Sequence, residues 1–260
     1  MTVLDQVPVR WRHDRLVRSD APRLGGARVL TAGDSWVAVT DGSHGTSVVG
    51  YGDGGGAARL VTALVAAGEL RPPLHWLSLP RDVDVPAEVA AALQVEPLPG
   101  WDWLSVDALP PVLPRESQVV RLDLGIEAPA IRECLEEANP GTDADPDGAH
   151  EIAWWGVRGP RGGLLGVIGA SERGGGHPGE QTWHLHGLGV RPGARRQGLG
   201  AALTAAAVRD GLGQGLPWVS LGVWAHNEPA LAMYAALGFR TDHRRRSYRP
   251  RGQAGTHPHR

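Results

Sequence analysis

Lysine is absent from this 260-residue chain, so all 26 basic side chains are arginine. We read that as the mark of a GC-rich coding sequence and not as a functional choice. Cysteine occurs once, as Cys134, which excludes an internal disulfide and a cysteine-based metal cluster; no metal is expected. Long apolar runs are also missing, and none approaches the ~20 residues that a membrane-spanning helix needs. Met1–Gln6 carries no basic segment followed by an apolar one, so no secretory leader is expected. Net charge is small: 28 acidic against 26 basic side chains leave −2 at neutral pH. No broad cationic face is there to attract nucleic acid or a membrane. These absences point to a soluble cytoplasmic protein, and the length suits two small units better than one compact domain.

What is present is concentrated late in the chain. The run Val190-Arg191-Pro192-Gly193-Ala194-Arg195-Arg196-Gln197-Gly198-Leu199-Gly200 leads out of an apolar strand, Trp183–Val190, into an Ala/Leu-rich helix. Such a turn leaves backbone N–H groups unpaired at the helix start, and Gly198 and Gly200 let a ligand approach them closely. The positive end of the helix dipole adds to an anion site suited to a pyrophosphate. The spacing is not that of a P-loop, and the acidic residue with which a dinucleotide fold holds a ribose is missing. A second signal follows. Trp218–Val223 reads as a buried strand. Asn227 then stands at an N-cap, Pro229 in a first turn and Gly238 at a helix stop, with Tyr234 one turn before it.

Arg195-x-x-Gly198-x-Gly200 followed by Asn227-x-x-Ala230-x-x-x-Tyr234-x-x-x-Gly238-Phe239 resembles the GNAT superfamily of N-acetyltransferases. The resemblance is clear from about Trp183 to Phe239, extends back to about Val119, and does not cover the N-terminal part. It implies an α/β (α+β) fold: a mixed, mostly antiparallel twisted sheet flanked by helices, here preceded by a smaller α/β unit. It also implies transfer of an acetyl group from acetyl-CoA to a primary amine, on a small-molecule or peptide acceptor, by direct attack. The pyrophosphate would lie on the amides of Arg196, Gln197, Gly198, Leu199, Gly200 and Ala201, with Arg195 and Arg196 adding charge-assisted contacts. Leu188, Gly189 and Val190 would pair with the pantetheine arm as an added strand, and Asn227 and Ala230 would lie against the cofactor. Tyr234 would protonate the departing thiolate. The less favoured alternatives are a solvated cluster for the arginines and a packing role for Tyr234. Dimerisation through sheet edges is common in the family.

The general base is harder to place. The strand Trp183–Val190 has no carboxylate but offers His184 and His186, two apart and therefore on one face of an ideal strand. His186, counted back from Val190, falls where relatives often carry an acid, and histidine titrates in the useful range. Either histidine also reads as structural, and a bulge would change the faces. Glu151 and Glu180 are lower-ranked candidates. Lack of a strand glutamate leaves a second reading, a silent acyl-CoA sensor or partner-binding module.

The composition divides the chain at Pro110, Pro111 and Pro114 into a unit over 1–116, an acetyltransferase domain over 117–250 and a flexible tail over 251–260. In the first unit the pattern predicts strands at 36–39, 46–49, 74–79 and 102–106 and helices at 57–67 and 87–93, after about twenty polar residues that need no order. The glycine-rich 50–56 turn makes it a candidate degenerate copy of the second unit. In the second, strands are expected from 117, 152, 164, 183 and 218, helices over 128–138, from 199 and from 227, a loop over 171–179, and a final strand over 244–248.

Overall fold

The computed structural model describes residues 2–43, 45–72, 74–175 and 179–252; most of the expected tail lies outside them. The chain forms two compact units. Unit 1 takes residues 1–103, 224–226 and the chain from Thr241; unit 2 takes 104–223 and 227–240. The division is not the one the prolines indicate. The stretch around Pro110 stays within unit 2, because Arg209 donates to its Pro110 carbonyl at 3.0 Å and to Glu116 at 2.6 Å.

Unit 1 opens with α1 (Val3–Gln6) and α2 (Arg15–Asp20). These first residues are ordered because Val3, Leu16 and Val17 are buried among arginines that stay outside. There follow β1 (Arg28–Ala32), β2 (Ser35–Gly42), β3 (Gly45–Tyr51), α3 (Gly54–Ala66), β4 (Leu74–Pro80), α4 (Ala87–Ala92), β5 (Val95–Pro97) and β6 (Trp101–Val106), within which the chain passes into unit 2. Pairing is antiparallel from β1 to β3 and parallel between β3 and β4. Helix α3 starts earlier than its apolar pattern indicates, since Asp53 caps it by accepting the Gly56 amide at 2.6 Å.

Unit 2 contains β7 (Val119–Leu122), α5 (Leu124–Ala138), β8 (Glu151–Arg158), β9 (Leu164–Gly174), β10 (Gln181–Val190), α6 (Leu199–Gly213), β11 (Val219–Trp224) and α7 (Glu228–Ala236). Strands β7 to β10 pair antiparallel and β11 joins β10 in parallel, the mixed sheet expected from the sequence. Strand β9 runs through the expected loop as far as Gly174, because Ser171 and Arg173 pair with His184 and Thr182. The final strand, β12 (Arg240–Pro250), differs more. From Thr241 it belongs to unit 1, where it pairs with β4 and β5. The reason is burial: Tyr248 lies in the unit 1 core and accepts the Val85 amide at 3.0 Å.

Two apolar layers hold the sheet of unit 2. Leu199, Leu203 and Val208 of α6 pack with Trp183, Leu185, Val219 and Leu221, and alanines at 205 and 207 bring the helix close. Ile131, Cys134 and Leu135 of α5 pack with Trp154 and Val167. Leu203 is fully buried, so Leu203→Ala should cost about 3 kcal/mol. Denaturant unfolding would show it as a lower midpoint at an unchanged slope.

Candidate active site

The site is built around β10. Its parallel register with β11 covers Trp183 to Leu185 and stops there. On the other side its register with β9 shifts between His186 and Gly189, a bulge that Gly187 makes by adopting a left-handed φ of 62°. The edge from His186 to Val190 therefore runs on without β11 beside it. The Leu188 carbonyl accepts from Asn139 Nδ2 at 3.3 Å, and the Val190 carbonyl from Arg195 Nε at 3.0 Å.

After β10 the chain turns sharply into α6. Arg196 and Gly198 both take left-handed backbone, with φ of 63° and 80°. Nothing lies within 4 Å of where a Gly198 Cβ would stand, so the concave side of the turn is open. Among the described residues, the first amide of the helix to find a backbone acceptor outside it is that of Ala202, on the Gly198 carbonyl. The preceding amides are the orphan donors of a helix start. The two arginines of the motif part company here. Arg195 spends Nε and Nη2 on the Val190 and Ala138 carbonyls, which fixes the loop. Arg196 is exposed at the mouth of the turn. Arg191 braces the approach through the Leu164 carbonyl at 2.8 Å and through Glu133 and Glu137.

Helix α7 completes this end of the sheet. Asn227 caps it, its side chain accepting from the Ala230 amide at 3.3 Å. Gly200 faces this helix, 3.6 Å separating its would-be Cβ from Met233 Sδ. Tyr234 is 7% exposed and packs on Phe239 with ring centroids 5.6 Å apart. Burial pushes its phenol above the ordinary range, so it stays protonated. Among the described residues its hydroxyl has no hydrogen-bond partner.

The two histidines precede the bulge and share a face, but their surroundings differ. His184 is buried, its Nδ1 3.0 Å from Ser220 Oγ, which itself donates to the Trp183 carbonyl. That is a structural bond tying β10 to β11. His186 is part-exposed and faces a carboxylate: its Nε2 lies 3.0 Å from Glu151 Oε1, within ion-pair reach and off the line of a hydrogen bond. The other Glu151 oxygen accepts from Trp154 Nε1 at 2.6 Å. Gly169 allows this meeting, since a Cβ there would come within 2.6 Å of Trp154 and 2.8 Å of His186. In the sequence Glu151 is only a lower-ranked candidate. The signal it lacked was register, which sets β8, β9 and β10 side by side. Glu180 falls in the turn before β10, outside the strand.

A mixed sheet that splits beside a bulged strand, with a glycine turn and capped helix at the opening, defines an acyl-CoA-type transferase fold. Residues 127–239 match the acetyltransferase (GNAT) family profile, and the chain carries a GNAT acetyltransferase domain there. The mycothiol acetyltransferase of Streptomyces scabiei is 46% identical over 65 residues, 25% of this chain and 21% of that protein. That of Nocardioides sp. is 42% identical over 62 residues, 24% and 21%. These matches thus span about a fifth of the relatives' length. Among solved structures, a GCN5-related N-acetyltransferase from Kribbella flavida has a TM-score of 0.57 at 19% identity, covering 92% of this chain and 96% of its own. One from Sphaerobacter thermophilus also has 0.57 at 19%, covering 82% and 75%. At such identities the likeness is one of fold.

Gly198→Ala meets open space, so its cost should come from the left-handed backbone alone, about 1 kcal/mol. A thermal melt would then show a modestly lower midpoint with an unchanged circular dichroism spectrum; an unchanged midpoint would contradict the strained turn.

Proposed function

We propose that unit 2 moves an acetyl group from acetyl-CoA to the primary amine of a small molecule. The observation that carries this reading is the open edge of β10 beside an open glycine turn. Extended backbone from Leu188 to Val190 suits the amides of a pantetheine arm, and the amides of Arg196, Gln197, Gly198, Leu199, Gly200 and Ala201 suit a pyrophosphate. Arg196 would meet phosphate from solvent, while Arg195 holds the turn in shape. Asn227 and Ala230 would border the cofactor from α7. When bound, acetyl-CoA supplies the activated acyl carbon; the rest falls to the chain. A short-lived tetrahedral centre needs the amine proton removed and the sulfur protonated.

His186 is suited to the first task. Its imidazole takes a proton from the attacking amine, and the nearby Glu151 carboxylate stabilises the cation that forms. Trp154 keeps that carboxylate turned toward the imidazole. Tyr234 Oη is suited to the second task, giving its proton to the thiolate as the carbon–sulfur bond breaks. The order and sense of pairing in β1-β2-β3-α3-β4 repeat those of β8-β9-β10-α6-β11. That correspondence supports reading unit 1 as a degenerate copy of the domain. Among the described residues no helix is long and apolar enough to cross a membrane.

The test is release of free coenzyme A from acetyl-CoA across aminoglycosides, polyamines, amino acids and amino-terminal peptides. Tyr234→Phe and His186→Ala should each lower turnover about a hundredfold while leaving acetyl-CoA affinity near wild type. Tight binding without turnover on any amine would favour the sensor. Because the Tyr234 phenol is raised, it remains a competent donor through the range in which a free phenol begins to ionise, about pH 10. Turnover should therefore show no alkaline fall below that pH that Tyr234→Phe removes; such a fall would contradict the raised phenol, not the acid role.

A further inference from the structure

The open edge of β10 is held by a residue that belongs to neither sequence motif. Pro140 ends α5, because the residue before a proline is driven out of helical backbone. Asn139 accordingly has φ of −150° and ψ of 65°. Its main chain is already engaged, the amide donating to the Leu135 carbonyl at 2.8 Å and the carbonyl accepting from Thr142 at 3.0 Å. The side chain is what remains, and its Nδ2 donates to the Leu188 carbonyl at 3.3 Å.

Glycines in the strand make this meeting possible. A Cβ on Gly189 would stand 3.0 Å from Ala138 Cβ and 3.5 Å from Asn139 Cβ, so the bare backbone lets the end of α5 come close. A Cβ on Gly187 would lie 2.9 Å from Ala144 Cβ and 2.8 Å from the Trp154 ring. The chain from Ala138 to Ala144 therefore lies against the bulge at Gly187, Leu188 and Gly189. The same glycines create a need. Leu188 stands between two residues without side chains, which leave its flanking peptides the freest in the strand to turn.

The direction of the Leu188 carbonyl matters for a ligand. The Arg191 amide donates to the Leu165 carbonyl of β9 at 2.8 Å. Main-chain groups alternate along a strand, so Val190, and Leu188 two residues before it, turn theirs toward the open edge. A side chain holds each of these carbonyls. Arg195 takes that of Val190 at 3.0 Å and also reaches the Ala138 carbonyl at 3.1 Å. Asn139 takes that of Leu188. The end of α5, the strand edge and the turn into α6 are thus latched together at three points.

We propose that Asn139 is a positioning residue for the acyl donor. It fixes the peptide between Leu188 and Gly189, so that the open edge keeps the extended line on which the pantetheine arm lies. It acts through Leu188 and not on the reacting atoms. The inference rests on the transferase reading of unit 2.

Calorimetric titration of the full chain with acetyl-CoA tests it. Asn139→Leu keeps the size of the side chain and removes the donor. Asn139→Asp puts in its place an oxygen that repels the carbonyl. Each variant should weaken acetyl-CoA about tenfold, the net worth of one hydrogen bond, with an unchanged circular dichroism spectrum. The nucleotide half of coenzyme A, which lacks the arm, should bind the variants as it binds wild type. Ile131→Val loosens α5 from within its core; it should lower the melting midpoint and leave acetyl-CoA affinity as it was. Unchanged acetyl-CoA affinity in either Asn139 variant would overturn the proposal. So would an equal loss for the nucleotide half, or a matching loss in Ile131→Val, since either would make Asn139 a general support of the fold. Wild type that binds no acetyl-CoA would sink the transferase reading and this inference with it; wild type that binds while the variants match it sinks this inference alone.

Discussion

Strand backbone that lacks a neighbouring strand needs some other partner, and in unit 2 that need falls on the stretch of β10 beyond Leu185. The bulge at Gly187 and the departure of β11 place a row of main-chain groups beside an opening instead of within a ladder. Nearly everything around it serves to hold that arrangement. Asn139 and Arg195 anchor the strand's carbonyls, Arg191 and Arg195 shape the turn, and Gly200 lets α6 and α7 approach each other. Were β11 to pair along its whole length, the turn would still exist but would have nothing to work with.

The two units show what the same topology does when the opening is filled from within. In unit 2 the glycine turn presents amides to solvent; in unit 1 the corresponding amides end on Asp53 and Asp82. In unit 2 the strands part around space; in unit 1 they part around the Arg245 guanidinium. A handful of side chains, and not a change of fold, separates an open turn from a filled one.

Much of unit 2 was legible in the sequence because its signals are local. A glycine turn, an N-cap asparagine and a stop glycine act within a few residues of where they stand, and the elements around them fall where expected. Unit 1 was less legible at its ends. The polar composition of the first twenty residues concealed the buried Val3, Leu16 and Val17. The prolines near Pro110 look like a linker, yet their setting depends on Arg209, which lies far along the chain. The Glu151 to His186 contact needed strand register, and the placement of β12 depended on a distant pocket for Tyr248. Long-range partners of this kind leave no local trace.

Strand β12 also bears on how the molecule comes into being. The residues that plug the gap in unit 1 and cover its core are translated after all of unit 2. On the ribosome, domains usually finish in order from the N-terminus. Here the first unit to emerge is the last to be completed, and until Arg245 and Tyr248 arrive it waits with an uncovered sheet edge. A truncation that spares every described residue of unit 2 would still leave the nascent chain with an unfinished beginning.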